Sequence, residues 1–275
     1  MITQSFLEHG TKILQQHGIE TARLDVLVLM EDVLGKSRGM LLAHPEMKIA
    51  EPELTQLNKY ITRRSSHIPL AYIRGKVMFY GREFLVNNHV LVPRPETEAI
   101  IECLKKLPLG GTPRIADVGT GSGCLGITAA LEIFGAEVFL YDIDPGALQV
   151  AEKNAQARHV MVHAKQQDLL KDCNEQFDAI LANLPYVPES YPINEAAKFE
   201  PKLALFSGKD GLGHYRMLWE QIDVMADQQQ PTHVITESMP EQHKELAKLA
   251  QGAGYRLLSI EGYAQQFVRL SATED

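Results

Sequence analysis

In the stretch TARLDVLVLMEDVLG (Thr21 to Gly35), Leu24, Leu27, Val28 and Val33 or Leu34 fall at helical spacing. Thr21 is placed to cap the start of this helix and Gly35 to stop its end. EPELTQLNKYITRRSS (Glu51 to Ser66) repeats the pattern through Leu54, Leu57 and Ile61. Helices this short bury their apolar faces on one another, so residues 1–75 are expected to form a small helical bundle. The period then changes. KVMFYGREFLVNNHVLVPRP (Lys76 to Pro95) carries β-type runs on either side of Gly81 and turn residues at Asn87-Asn88, which predicts a β-hairpin linker over 76–95.

From Glu96 onward, strand and helix patterns alternate. RIADVG (Arg114 to Gly119) precedes a helix from Ser122 to Phe134, and EVFLYD (Glu137 to Asp142) precedes one from Pro145 to Ala157. VMVHAK (Val160 to Lys165), FDAILA (Phe177 to Ala182) and THVITE (Thr232 to Glu237) follow as strands. This alternation predicts an α/β fold, with a doubly wound parallel sheet over residues 96–275. YRLLSI and QFVRLS are separated only by Glu261 to Gln265, too short for a helical crossover, so they are expected to close the sheet as an antiparallel hairpin. Trp219 is expected to pack a helix onto the sheet.

Composition narrows the picture. Of 275 residues, 45% are hydrophobic and 23% charged, as in an ordinary soluble globular chain. No apolar run approaches the ~18 residues of a membrane span, and MITQSFLEHGTK has no signal-peptide core. The three cysteines (Cys103, Cys124, Cys173) form no CxxC pair, which fits a reducing cytoplasm and argues against a structural zinc. The histidines show no metal-ligand spacing, so no metal is expected. A net charge of −8 argues against a protein that grips nucleic-acid phosphates directly.

Two motifs carry chemistry. After the first strand of the alternating series comes DVGTGSG (Asp117 to Gly123). Its glycines let a ligand lie against the backbone, and the helix start beyond is expected to offer free N–H groups to an anionic group. Asp142 ends the next strand, where its carboxylate can accept the two hydroxyls of a ribose. The cofactor stays open at this point: GSGCLG (Gly121 to Gly126) also fits the dinucleotide pattern G-x-G-x-x-G, with an acid about 20 residues on.

The second motif, NLPY (Asn183 to Tyr186), ends the strand FDAILA, at the carboxyl edge where ligands sit. A plain strand-ending turn would suit Asn and Pro. A clamp suits the context better. The Asn183 side-chain oxygen is an acceptor, Pro185 fixes the direction of the Leu184 carbonyl, and Tyr186 offers a ring face. Two converging acceptors suit a planar NH2 group. Drawing on its N–H bonds would free its delocalised lone pair to attack a sulfonium methyl, with positioning and electrostatics carrying the catalysis. A hydride enzyme has no use for such a clamp. Methyl transfer is therefore the expected reaction.

At this point the chain resembles a family. The order PLAYIRG (Pro69 to Gly75), VLVPRPETE (Val90 to Glu98), DVGTGSG, YDID (Tyr141 to Asp144), NLPYVP (Asn183 to Pro188) and FEPKLALFSGKDGL (Phe199 to Leu212) is similar to that of bacterial release-factor glutamine methyltransferases of the HemK type, over nearly the whole chain. The resemblance implies a Rossmann-like class I methyltransferase sheet behind a helical domain that grips the protein substrate. It implies S-adenosylmethionine as cofactor, and as acceptor the glutamine of the Gly-Gly-Gln tripeptide in peptide chain release factors. Gly119, Thr120, Gly121, Ser122, Gly123, Asp142, Asp168, Leu169 and Asn183 would hold the cofactor. Asn183, Leu184, Pro185, Tyr186 and Glu200 would hold the substrate, with Asn183 and Tyr186 catalytic. Arg94, Glu96 and Glu98 either organise the cofactor pocket or cap a helix, and Glu237 is either structural or lines the crevice.

One position departs from the family pattern Asn-Pro-Pro-Tyr: Leu184 stands at the first proline. The variant Asn-Leu-Pro-Tyr also resembles RNA adenine dimethyltransferases, which makes N6-adenine methylation of RNA or DNA the alternative. A catalytically inactive S-adenosylmethionine-binding regulator is the second alternative. A cytoplasmic monomer is expected.

Overall fold

The computed structural model describes residues 1–270 and divides into two compact units. The first comprises Met1–Lys76 with Ile193–Phe199. Its helices are α1 (Thr3–Gln16), α2 (Ala22–Leu34), α3 (Arg38–Ala43), α4 (Glu51–Ser65) and α5 (Leu70–Arg74). They enclose Phe6, Leu14, Val26, Leu29, Met30, Leu57 and Ile61. Gly10 lets α1 sit close to its neighbours, since a Cβ there would lie 3.2 Å from a Val26 methyl. Of the positions expected inward on α2, Leu27 is buried and Val33 and Leu34 pack partly against the core, whereas Leu24 is exposed; Ala22, Asp25, Val26, Leu29 and Met30 are buried as well. Asp25 tolerates burial because Arg64 on α4 donates to its carboxylate at 2.7 Å, which fixes the rotation of α2. Gly35 ends α2 in the left-handed conformation, while the Thr21 hydroxyl makes no capping bond.

The second unit comprises Val77–Pro192 and Glu200 onward. Strands β1 (Lys76–Phe79) and β2 (Arg82–Leu85) form the hairpin, turning at Tyr80-Gly81 with both residues at positive φ (49° and 69°). A second turn follows at Asn87, whose carbonyl accepts from Val90 N. The remaining elements are α6 (Glu98–Lys105), β3 (Arg114–Val118), α7 (Cys124–Glu132), β4 (Glu137–Asp142), α8 (Pro145–Ala157), β5 (His163–Gln166), β6 (Ala179–Ala182), α9 (Gly213–Asp223), β7 (His233–Glu237), α10 (His243–Gly252), β8 (Tyr255–Glu261) and β9 (Ala264–Arg269). The strand order is β5-β4-β3-β6-β7-β9-β8. The first five are parallel, and β9 enters antiparallel between β7 and β8, as the short terminal connection requires.

Both faces of the sheet are covered, so its strands alternate between two apolar cores instead of between core and water. Ala116, Val118, Ile180, Ala182, Val234 and Phe267 meet α9 and α10, while Ile115, Leu140, Ala179, Leu181 and Ile235 meet α6, α7 and α8. Trp219 on α9 packs against Tyr255 and Phe267 at centroid distances of 5.2 and 5.4 Å. β5 begins later than expected because His159 takes a positive φ of 56° and Val160 N closes back on Ala155 O. α7 likewise starts only at Cys124, since Gly123 is still in the left-handed turn (φ 79°).

One buried hydroxyl ties the carboxyl ends of β6 and β7 to α9. Tyr215 Oη accepts from Leu184 N (3.2 Å) and Glu237 N (3.3 Å), and its proton points to the Ala182 carbonyl (3.0 Å) or that of Glu237. Tyr215→Phe leaves two buried N–H groups without this acceptor. The expected loss is about 1–3 kcal/mol in urea unfolding; a change below about 0.5 kcal/mol would show that the hydroxyl does not hold these strand ends.

Candidate functional site

The crevice opens where the sheet changes direction, at the carboxyl ends of β3 and β6. The glycine loop leaves β3 at Gly119 and turns through left-handed glycines at 119, 121 and 123. Gly119 N and Thr120 N both donate to Tyr141 O, tying the loop to β4. A Cβ on Gly119 would lie 2.9 Å from Leu184 Cδ2, so the glycine loop and the NLPY segment touch.

The anion cradle expected from the loop is partly occupied by the chain itself. Gly126 N, in the first turn of α7, donates to Asp117 Oδ2 at 2.8 Å, and Thr120 Oγ1 donates to the same oxygen at 2.5 Å. Gly123 N closes on Thr120 O. Gly121 N donates to Asp142 Oδ2 at 2.8 Å, and Asp144 N to Asp142 Oδ1 at 2.9 Å. The chain's own carboxylates thus take one amide of the loop, Gly121 N, and one in the first turn of α7, Gly126 N. A pyrophosphate placed here would meet two acidic side chains, which disfavours a dinucleotide. Burial lifts Asp117 to about 6 and raises Asp142 as well, the latter held back by its two backbone donors.

The cavity is lined by Gly119, Gly121, Asp142, Ile143, Asp168, Leu169, Asn183, Leu184 and Pro185, with His89, Val90, Leu91, Pro201, Leu203 and His214. This arrangement fits a nucleoside that carries no phosphate. The Asp142 carboxylate has lone pairs beyond those its backbone donors use, placed for ribose hydroxyls. Ile143 leaves half its surface open (48%), an apolar wall beside that acid, with Leu169 (φ 53°) and the Asp168 carboxylate further along.

Not every expected ligand reaches the cavity. Thr120 and Ser122 are buried framework: the Thr120 hydroxyl serves Asp117, and the Ser122 carbonyl accepts from Asn154 Nδ2. Gly123 shapes the turn; a Cβ there would strike Ile127 and Ala151. Glu200 does not line the cavity either. Its carboxylate accepts from Val92 N (3.0 Å) and from Arg94 (2.5 Å), so it fastens the loop carrying Pro201 and Leu203 to the segment that precedes α6. Arg94 is taken up by this pair, and Glu98 accepts from Tyr80 N in the β1–β2 turn. Sequence reasoning passed over Ile143 and His214. An exposed apolar residue directly after Asp142 was a readable signal; nothing local marked His214.

At the end of β6, Asn183 is half-buried and donates through Nδ2 to Thr97 Oγ1 at 3.0 Å. No described residue donates to Asn183 Oδ1 or to the Leu184 carbonyl, and both residues line the cavity. Tyr186 lies behind, its hydroxyl donating to Glu237 Oε1 at 3.0 Å and its carbonyl accepting from Gln242 Nε2 at 2.8 Å. Burial raises Glu237 above the usual carboxylate range, opposed by Thr97, Tyr186 and Asn183. Burial, and next the Glu237 charge, raise Tyr186. Burial pushes the Cys124 thiol up to about 12, so it is no nucleophile. Among the described residues no group of three or more His, Cys, Asp or Glu is placed to hold a metal ion.

Residues 5–75 match the PrmC N-terminal domain, and residues 95–198 match the methyltransferase small domain. A release factor glutamine methyltransferase of Bacillus subtilis is 37% identical over 230 residues, covering 80% of this chain and 79% of that protein. A bifunctional methyltransferase of Rickettsia bellii is 32% identical over 254 residues, covering 79% of this chain; the chain spans 45% of that longer protein. The hMettl16 catalytic domain, solved with a 3′UTR hairpin, has a TM-score of 0.55 at 12% identity, covering 82% of this chain and 84% of that one, a likeness of fold.

Asp117 makes the site's pH response testable. Its folded pKa of about 6 lies above the ordinary 3.8, so its stabilising share is complete below about pH 4 and is lost as pH rises through 6. Asp117→Asn keeps an acceptor oxygen and cannot ionise. Its stability relative to wild type should therefore rise by about 2–3 kcal/mol between pH 4 and pH 7 in urea unfolding. A pH-independent difference would contradict a buried, strained carboxylate.

Proposed function

Because this chain belongs to the release factor glutamine methyltransferases, we propose that its crevice moves a methyl group from S-adenosylmethionine to a glutamine side-chain nitrogen. The acceptor is the glutamine of the Gly-Gly-Gln tripeptide in peptide chain release factors. The observation that carries the reading is the pair of acceptors without donors among the described residues, Asn183 Oδ1 and the Leu184 carbonyl, beside a cavity lined by Asp142, Ile143, Asp168 and Leu169.

The chemistry follows from those two oxygens. A glutamine NH2 offers two N–H donors in one plane, and two converging acceptors hold both. Pulling on the N–H bonds returns lone-pair density to nitrogen and offsets the positive charge that grows as the new N–C bond forms. As the N–C bond forms, the S–CH3 bond would break with its electron pair left on sulfur as a neutral thioether, and the one N–H proton released would pass to water. When bound, S-adenosylmethionine supplies a sulfonium methyl, the electrophile. Asp142 would accept its ribose hydroxyls, and Asp168, Leu169 and Ile143 would line the base. Tyr186, behind the clamp and tied to Glu237, would back the glutamine stem. No protein general base is required, since the barrier is lowered by alignment and by charge placed before the reaction.

Leu184 is compatible with this clamp. Its carbonyl remains where the family's proline would present one. Its own N–H, which a proline lacks, is held by Tyr215 Oη, and its side chain is buried against Gly119. A hydrogen bond and packing replace the stiffness of a ring. No helix among the described residues is long and apolar enough to cross a membrane, and the assignment extends to a cytoplasmic monomer that meets release factor directly.

The test is a mass spectrum of the Gly-Gly-Gln peptide after incubation of full-length release factor with the protein and S-adenosylmethionine. One added methyl on the glutamine side chain is expected, and an unmodified glutamine would overturn the assignment. Asn183→Ala should lower kcat at least about 100-fold while cofactor affinity stays within about tenfold, because the contact acts in the transition state.

A further inference from the structure

His214 is the second residue of α9 and lines the cofactor cavity together with Asp168 and Leu169. Ser207 holds it from outside the helix. The Ser207 carbonyl accepts from Gly213 N at 3.1 Å, and its Oγ accepts from His214 N at 2.8 Å. One residue thus caps two of the free amides at the start of α9. The same Oγ lies 2.6 Å from His214 Nδ1. Ser207 is 2% exposed, and its hydroxyl makes no other hydrogen bond among the described residues.

These distances set the direction of each bond. A serine hydroxyl has one hydrogen to give. Its oxygen already accepts from His214 N, so the hydrogen has one acceptor in reach, the Nδ1 lone pair. A ring protonated at Nδ1 would aim a second N–H at Oγ and leave the buried hydroxyl hydrogen unpaired, which folding disfavours. Only a neutral imidazole with its hydrogen on Nε2 satisfies both groups. Burial acts in the same direction, holding His214 below the ordinary imidazole range against the Asp168 charge. No hydrogen bond joins the imidazole to the Asp168 carboxylate, and both line the cavity.

We propose that Ser207 locks His214 as its Nε2–H tautomer, so that the base end of the cavity offers one donor, His214 Nε2–H, and one acceptor, the Asp168 carboxylate. His214 is then a specificity-determining residue and Ser207 its positioning residue. The pair matches adenine, whose exocyclic NH2 donates and is flanked by ring nitrogens N1 and N7 that accept. A purine with oxygen at that exocyclic position would turn a carbonyl toward the Asp168 charge, and a site built for hydrogen bonds rejects such a mismatch strongly. The inference rests on reading the cavity as a site for S-adenosylmethionine, and it names a residue that reads the base. The tautomer itself rests on the hydrogen bonds alone.

Two measurements on the full-length protein test this. Long-range 1H–15N spectra at neutral pH should show His214 Nδ1 unprotonated and Nε2 carrying the hydrogen. In Ser207→Ala the Nδ1 signal should move toward the protonated range. Calorimetry then compares S-adenosylhomocysteine with its 1-deaza and 7-deaza analogues. His214→Phe should weaken S-adenosylhomocysteine about 5- to 10-fold, the effect of one hydrogen bond. His214→Gln, whose amide NH2 stands near the place of Nε2, should stay within about twofold of wild type. One of the two analogues should bind wild type about 5- to 10-fold more weakly yet lose less than about twofold in His214→Phe, which identifies the nitrogen that meets His214. A protonated Nδ1 in wild type would overturn the proposal. So would equal binding of S-adenosylhomocysteine by wild type and His214→Phe, or analogue losses that are the same in both proteins. If wild type bound no S-adenosylhomocysteine at all, the cofactor reading would fall and the proposal with it.

Discussion

The site depends on how β6 lies on β3. Their parallel register sets Asp117 beside Leu181, so the two chains leave the sheet together and Gly119 ends within van der Waals reach of Leu184. That contact explains why the first glycine of the loop must lack a side chain, and why the cofactor wall and the substrate clamp are one surface. Everything placed on this edge inherits its position from it. Asp142 arrives through β4, the next strand out, and Glu237 through β7, the next strand on the other side. Tyr215 then binds the ends of β6 and β7 from α9, which keeps the clamp backbone from drifting away from the cavity.

Electrostatics decides which nucleoside belongs there. In a site for phosphates, the amides of the loop and of the first helical turn face the ligand. Here Asp117 and Asp142 receive two of those amides, from Gly126 and Gly121, so the edge carries two carboxylates whose pKa burial raises. Such an edge repels a pyrophosphate and accepts hydroxyls and a positively charged sulfonium. The choice between cofactors, open from the glycine pattern, is tilted by the two carboxylates that stand at the loop.

Much of the fold was legible because its strands and helices obey local rules. Both faces of the central strands are buried, so β3, β4, β6 and β7 read as short apolar runs. α8 runs from Pro145 to Ala157, as its proline start predicts. The terminal hairpin followed from connection length alone. On α2 the burial of Leu27 was legible, but the burial of Asp25 was not, because its partner Arg64 lies far along the chain, and Leu24 is exposed instead. Among site residues, Asn183, Leu184 and Asp142 stood out by type and place. Thr120, Ser122 and Glu200 looked equally exposed to a ligand in sequence, but their polar groups are taken by Asp117, Asn154 and Arg94. Glu237 was undecidable from sequence, since its partner Tyr186 is brought beside it only by the fold.

The central claim is that Asn183 Oδ1 and the Leu184 carbonyl receive the two hydrogens of a glutamine NH2. A crystal structure with a Gly-Gly-Gln peptide and S-adenosylhomocysteine tests it most directly. The account predicts the glutamine nitrogen at about 2.9 Å from both oxygens, with Asn183 Nδ2 still on Thr97. A glutamine amide bound elsewhere, or an Asn183 turned with its NH2 toward the peptide, would contradict it.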